Sequence, residues 1–296
     1  MKALSKLRKS FKAAGIAIAA TAAIGLGSAL PAQAGSIYLT GHDVLLHSGQ
    51  NGYDNVILNW LRGAGTTSEI AAASYDILFL RGFSGSVGSV GVNTLEGFGT
   101  ITTVDIATFA GAGGGAALTA AMAGKEIIVI PDHTSCGGCD LTSADADILE
   151  ARSAEITVFF NAGGDIFAGS GATDTTFYNF LPPGAVASGL PIGGSSGFTA
   201  TAAGTAIGIT STMINGFPTH NRFTGFDPDF TVFETRGTEF ISIGIRDATI
   251  SDGGIGTCGT AGRPDCPPVG VPEPGVLPLL GLGLVGLGWA MRRRIR

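Results

Sequence analysis

The chain has 296 residues, with 17 lysines and arginines against 23 acids. Nine of the basic residues stand at the two ends, so Gly35 to Gly270 carries eight bases against 22 acids, a net −14. That balance argues against nucleic acid and anionic lipid as partners, and suits a soluble body in a hydrated matrix.

The N-terminal segment is predicted to be a secretory signal peptide, residues 1–34. Lys2, Lys6, Arg8, Lys9 and Lys12 form its basic region, and Ala13 to Leu30 are mostly small and apolar. Ala32-Gln33-Ala34 offers an A-x-A cleavage site before Gly35. With both ends removed, enough chain remains for one substantial domain.

In that body, Ser36 to Thr40 predicts a buried strand running into Gly41-His42-Asp43. Tyr53 to Leu61 carries apolar residues at helical spacing, stopped by Gly63 and Gly65. Tyr75 to Leu80 is a second strand, and Gly82 to Gly99 a loop or hairpin. Thr100 to Phe109 is an extended piece, Ala116 to Ala123 a short helix, and Glu126 to Ile130 a strand buried on both faces. A helix capped by Thr142 or Ser143 runs to about Asn161, followed by Gly163-Gly164 and a strand from Asp165 to Gly169.

This alternation predicts an α/β fold with a mostly parallel sheet and helices on both faces. The second half differs: Phe177 to Leu181 reads as a short helix, Pro191 to Phe198 as loop, and Phe230 to Glu234 with Glu239 to Arg246 as a hairpin-like pair of strands. Body residues 35–250 are then followed by a Gly/Pro-rich linker, 251–270. No repeat of 20 to 50 residues occurs, which excludes a solenoid.

Four cysteines form two short pairs, Cys136 with Cys139 and Cys258 with Cys266. Export permits disulfides, and two local bridges are the expected arrangement. Redox chemistry at Cys136/Cys139 would need a helix N-terminus after the first cysteine, where Gly-Gly stands instead. Zinc held by all four would join pairs far apart in the chain.

The last stretch, Val271 to Arg296, has three parts in order. Pro272, Glu273 and Pro274 refuse helix, Val276 to Met291 is apolar or glycine apart from Pro278, and Arg292, Arg293, Arg294 and Arg296 close the chain. Sixteen helical residues would span about 24 Å, short of the roughly 30 Å hydrocarbon core. The segment is thus expected to be a transmembrane sorting helix of marginal length, with its arginines cytoplasmic. An uncut single-pass anchor is the plainer alternative. This tail, 271–296, resembles a PEP-CTERM sorting signal. The resemblance implies transient residence in the inner membrane, recognition by an exosortase, removal of the span, and delivery to the cell surface or exopolysaccharide matrix.

Thr142 to Gly171, together with Gly41-His42-Asp43, resembles a flavodoxin-like domain of the class I glutamine-amidotransferase-like type, ThuA-like proteins included. In amidotransferases the turn after the Gly-Gly strand presents a nucleophilic cysteine, with a histidine base further on. Here that turn reads Ala168-Gly169-Ser170-Gly171. Ser170 could serve as nucleophile only with a base in reach, and His220 is the one late histidine.

His42 and His133 each sit beyond a predicted strand, beside Asp43 and Asp132. At that edge of a parallel sheet they could hold a divalent metal or hydrogen-bond a sugar. The blander reading is polar strand-end residues satisfied by loop backbone. No cofactor is predicted and no nucleotide motif is present. The sequence thus favours an exported, non-catalytic protein that binds polysaccharide or another matrix component. The alternatives are a hydrolase-type or metal-dependent enzyme on the same scaffold, and a structural matrix protein without a ligand pocket.

Overall fold

A computed structural model of the chain describes residues 34–45, 47, 51–66, 68–82, 94–133, 141–181, 189–251 and 254–257. The predicted signal peptide up to residue 33, all four cysteines and the sorting tail lie outside these residues. Among the described residues no helix is long and apolar enough to cross a membrane.

The parallel half of the sheet is built from β1 (Gly35–Thr40), β2 (Ile77–Arg81), β3 (Ile101–Asp105), β4 (Ile127–Ile130) and β5 (Asp165–Ala168), in the spatial order β3-β2-β4-β5-β1. Of these short strands, β2, β4 and β5 are mostly apolar and buried, as strands covered on both faces must be, whereas β3, at the sheet's end, is only partly covered. Flavodoxin-like sheets run 2-1-3-4-5. Here the same positions are filled, but the chain's first strand stands fifth, beside β5. That departure from the expected layout follows from the second half of the chain. β10 (Glu239–Ser251) returns antiparallel along β1 and extends the sheet through β8 (Asn221–Phe223) to β6 (Gly189–Pro191). β9 (Thr231–Arg236) pairs with both β10 and the short β7 (Thr199–Ala200). β11 (Gly254–Thr257) pairs with β10, so the sheet continues into the stretch expected to be linker.

Side chains of successive strand residues point to opposite faces, which sorts the core into two layers. On one face Ile37, Leu39, Leu78, Leu80, Ile128 and Ile130 meet helices α2 (Gly114–Met122), α3 (Ser143–Glu150) and α4 (Ser153–Asn161) through residues such as Leu118, Leu149 and Phe160. On the other, Tyr38, Ile77, Phe79, Ile127, Val129 and Phe167 meet α1 (Tyr53–Leu61) and the region of α5 (Ala202–Ala206) and α6 (Ser211–Ile214).

The helix expected from residue 142 to 161 is two helices. Its start is a capping box: Thr142 Oγ1 accepts from the Asp145 amide, and the Asp145 carboxylate accepts from the Thr142 amide. The two meet at Arg152, whose guanidinium donates to the Phe109 carbonyl at 2.9 Å and to that of Gly111. Phe177 to Leu181 forms successive turns rather than a helix, with Asn179 N donating to Thr176 O and Leu181 N to Tyr178 O. The Tyr178 hydroxyl is drawn inward to the Gly169 carbonyl, 2.9 Å away.

Candidate functional site

Three strands of the parallel half, β1, β5 and β4, end together, and the chain from 218 to 221 lies alongside the first of them. His220 N donates to the Gly41 carbonyl at 2.9 Å, and Asp43 N to that of Pro218 at 3.2 Å. This closeness requires glycine at 41, where a Cβ would fall 1.8 Å from the Asn221 carbonyl oxygen. Residues from four places in the sequence thus converge at one strand edge.

His42 is fully buried, and both its ring nitrogens are taken. Nε2 lies 2.6 Å from Glu234 Oε2 and Nδ1 lies 2.7 Å from Thr219 Oγ1. Tyr53 donates its hydroxyl to the other Glu234 oxygen, Tyr38 does so at 3.3 Å, and Thr40 and Ser242 complete the network. Burial pushes both tyrosines well above their ordinary values, aided by Glu234 for Tyr53 and by Tyr53, then Glu234, for Tyr38. These hydroxyls are therefore permanent donors.

His133 lies apart from this network. His42 packs edge-on against Phe198, in the core layer of α1, whereas His133 packs against Phe177, in the layer of α2 to α4. Its Nε2 lies 3.2 Å from Ser143 Oγ and 3.3 Å from Asp174 Oδ2. Burial lowers its pKa, against the opposing pull of Asp174 and Asp145. Burial works against ionisation of Asp174 as well, yet the Thr176 hydroxyl and amide, Ser143 and His133 outweigh it and hold that carboxyl below its usual value. The four-residue set His42, Asp43, Asp132 and His133 expected to share a ligand therefore divides: its two histidines serve opposite layers. Among the described residues no group of three or more His, Cys, Asp or Glu side chains is arranged to hold a metal ion.

The two aspartates do come together. Asp132 is 2 % exposed and lies beside the fully buried Asp43, within reach of a carboxyl–carboxylate hydrogen bond. Burial raises the Asp132 pKa well above normal, and the charge of Asp43 and the bond between them add to it, against hydrogen bonds from the Ser170 and Leu45 amides. Like charges in contact cannot both ionise, so the pair retains a proton. Asp43 Oδ2 also faces two histidines, His220 Nε2 at 3.4 Å and His47 Nε2 at 3.6 Å, both partly exposed.

Ser170 does not pair with His220. Its hydroxyl donates to Asn221 Oδ1 at 2.8 Å, its amide donates to Asp132 Oδ1 at 2.6 Å, and its carbonyl accepts from His133 N at 2.8 Å. In a nucleophile elbow the strained residue is the serine itself. Here the left-handed residue of the turn is Ala172, φ 52°, whose amide donates to Ser170 Oγ. Ser170 thus behaves as a turn residue locked by four bonds.

Sequence reasoning missed Glu234, Thr219, Asn221, Asp174 and His47. Glu234 had a legible signal, an acid inside the apolar strand Phe230 to Glu234 that needs a partner once buried. The others depend on which loops meet.

Residues 270–294 match the PEP-CTERM protein-sorting motif. The match implies an exosortase substrate, exported and sorted at the membrane toward the surface. It falls wholly on the tail and leaves the body unassigned. No curated protein and no solved structure matches the chain, so the amidotransferase-type and ThuA-like resemblance gains no support from relatives.

Proposed function

We propose that this is a cell-surface or extracellular-matrix protein whose folded body acts by binding or as a structural element rather than by catalysis. The sorting-motif match at residues 270–294 carries the reading. A signal peptide over residues 1–34 starts export, the sheet-bearing body folds beyond the inner membrane, and the span from Val276 to Met291 holds it until an exosortase acts near Pro272-Glu273-Pro274. Cys136 with Cys139 and Cys258 with Cys266 close two local disulfides in that compartment. The net −14 body keeps the protein dispersed in a hydrated matrix, and polysaccharide is the ligand class proposed. The commitments of Ser170, His42 and His133 to internal partners support a non-catalytic body. A glycan array probed with the exported protein tests the binding role. Saturable binding to one saccharide class supports it, and silence across a broad array leaves the structural role alone standing.

A second reading is favoured by one observation, the Asp43–Asp132 pair flanked by His47 and His220. A carboxyl whose burial raises its pKa well above normal is the equipment of a general acid, and the histidines would supply a base. Hydrolase screening of the wild type against Asp132→Asn separates the readings: activity lost in the variant supports the enzyme.

A further inference from the structure

We infer that the start of β1 is a built receptor for a primary ammonium, and that its ligand is the chain's own Gly35 α-amine, released by cleavage after Ala34 and docked beside Asp165 and Asp247. The inference rests on the proposed export, because it needs Gly35 as the mature N-terminus.

Gly35 is the first residue of β1, paired with Ala248 of β10, and it is buried. The strand start is tightly packed: a Cβ at this position would lie 2.3 Å from the Gly164 carbonyl oxygen, 2.6 Å from a ring carbon of Phe160 and 2.7 Å from the Phe160 carbonyl oxygen. Phe160 belongs to the last turn of α4, the end of a helix that favours cations. One residue along, Ser36 N donates to Asp165 Oδ1 at 2.7 Å, and the Tyr75 hydroxyl donates to Asp165 Oδ2 at 2.6 Å. A cavity of about 200 Å³ opens here, lined by Ala34, Ser36, Asp165, Arg246 and Asp247 among others.

Among the described residues, two cations, Arg62 and Arg246, and two acids, Asp165 and Asp247, line this cavity. Arg62 is held by Glu69 at 2.6 Å. Arg246 lies over the Trp60 ring at 5.4 Å and acts on the Asp165 carboxylate, while the exposed Asp247 lines the same cavity. Burial pushes the Asp165 carboxyl up to about 7 despite Arg246 and the bonds from Tyr75 and Ser36. While residue 34 is attached, the Gly35 nitrogen is a neutral amide. Hydrolysis adds water across the Ala34–Gly35 bond, leaves a carboxylate on the departing Ala34, and gives Gly35 an amine that takes up a proton. That ammonium adds a cation beside Asp165 and favours its ionised form. Processing and the final stability of the sheet edge are thereby linked: the body closes fully only around its mature end.

The test uses the exported protein as purified. N-terminal sequencing first establishes Gly35 as the first residue; an intact Met1 overturns the export reading and this inference with it, and a cut at another position overturns this inference alone. The Gly35 amine is then acylated in competition with Lys125, the only lysine beyond Lys12. The expected result at pH 8 is acylation at least tenfold slower in the folded protein than in denaturant, with Asp165→Asn restoring most of the rate. Asp247 has φ 51°, a conformation asparagine accepts, so Asp247→Asn serves if the first variant fails to accumulate. Equal rates folded and denatured, or protection unchanged in the variant, would overturn the docking site while leaving export intact.

Discussion

Glu234 Oε2 lies 2.6 Å from His42 Nε2, with both side chains fully buried. This pair joins β9 to the end of β1 and holds the strand edge where the 218–221 segment docks. Removing the carboxylate strands His42, Tyr53 and Tyr38 together. Glu234→Ala is expected to lose about 3–5 kcal/mol in urea denaturation. Glu234→Gln keeps the shape and one acceptor, and should lose clearly less.

Asp54 gives the protein a pH dependence with a definite sign. Burial pushes its carboxyl up to about 6, against hydrogen bonds from Thr94 and the Asn55 amide. A raised folded pKa means the folded state holds the proton longer than the unfolded chain does. Stability is therefore greatest below the unfolded value near 3.9 and falls as pH rises toward 6, by up to about 1.4 kcal/mol per unit. Melting temperatures between pH 4 and 6 check this, and Asp54→Asn should flatten the fall.

Ser170 is expected to be inert. Its hydroxyl is fully buried and bound to Asn221. A fluorophosphonate probe should leave Ser170 unlabelled, as read by peptide mass mapping. Ser170→Ala should cost stability, about 1–3 kcal/mol, because the buried Ala172 amide loses its acceptor.

Two glycines form a matched pair for testing the strand-edge packing. Gly41→Ala would drive a methyl into the Asn221 carbonyl, and is expected to destabilise by at least 1–3 kcal/mol. Gly113, at φ −87°, has nothing within 4 Å of its Cβ position, so Gly113→Ala should be neutral or slightly stabilising.

The local elements were legible because their signals are local. Tyr53 to Leu61 forms a helix with the bounds its periodicity predicts, and the apolar run before Pro131 is a doubly covered strand. The break at Arg152 was not: no glycine or proline marks it, and the Phe109 and Gly111 carbonyls its guanidinium reaches lie far off in the sequence. The site was half legible for the same reason. Position after a strand located Asp43 and Asp132, which do meet. It could not say that His42 and His133 would turn to opposite layers, since that depends on where Glu234 and Asp174 arrive.

The central claim is export with processing at both ends, and the intact mass of the protein from the extracellular and surface fractions tests it most directly. The account predicts a species that begins at Gly35, lacks the apolar run from Val276 to Met291, and has no free thiol among its four cysteines. A full-length, uncut chain recovered from the cytosol with all four thiols reduced would contradict it.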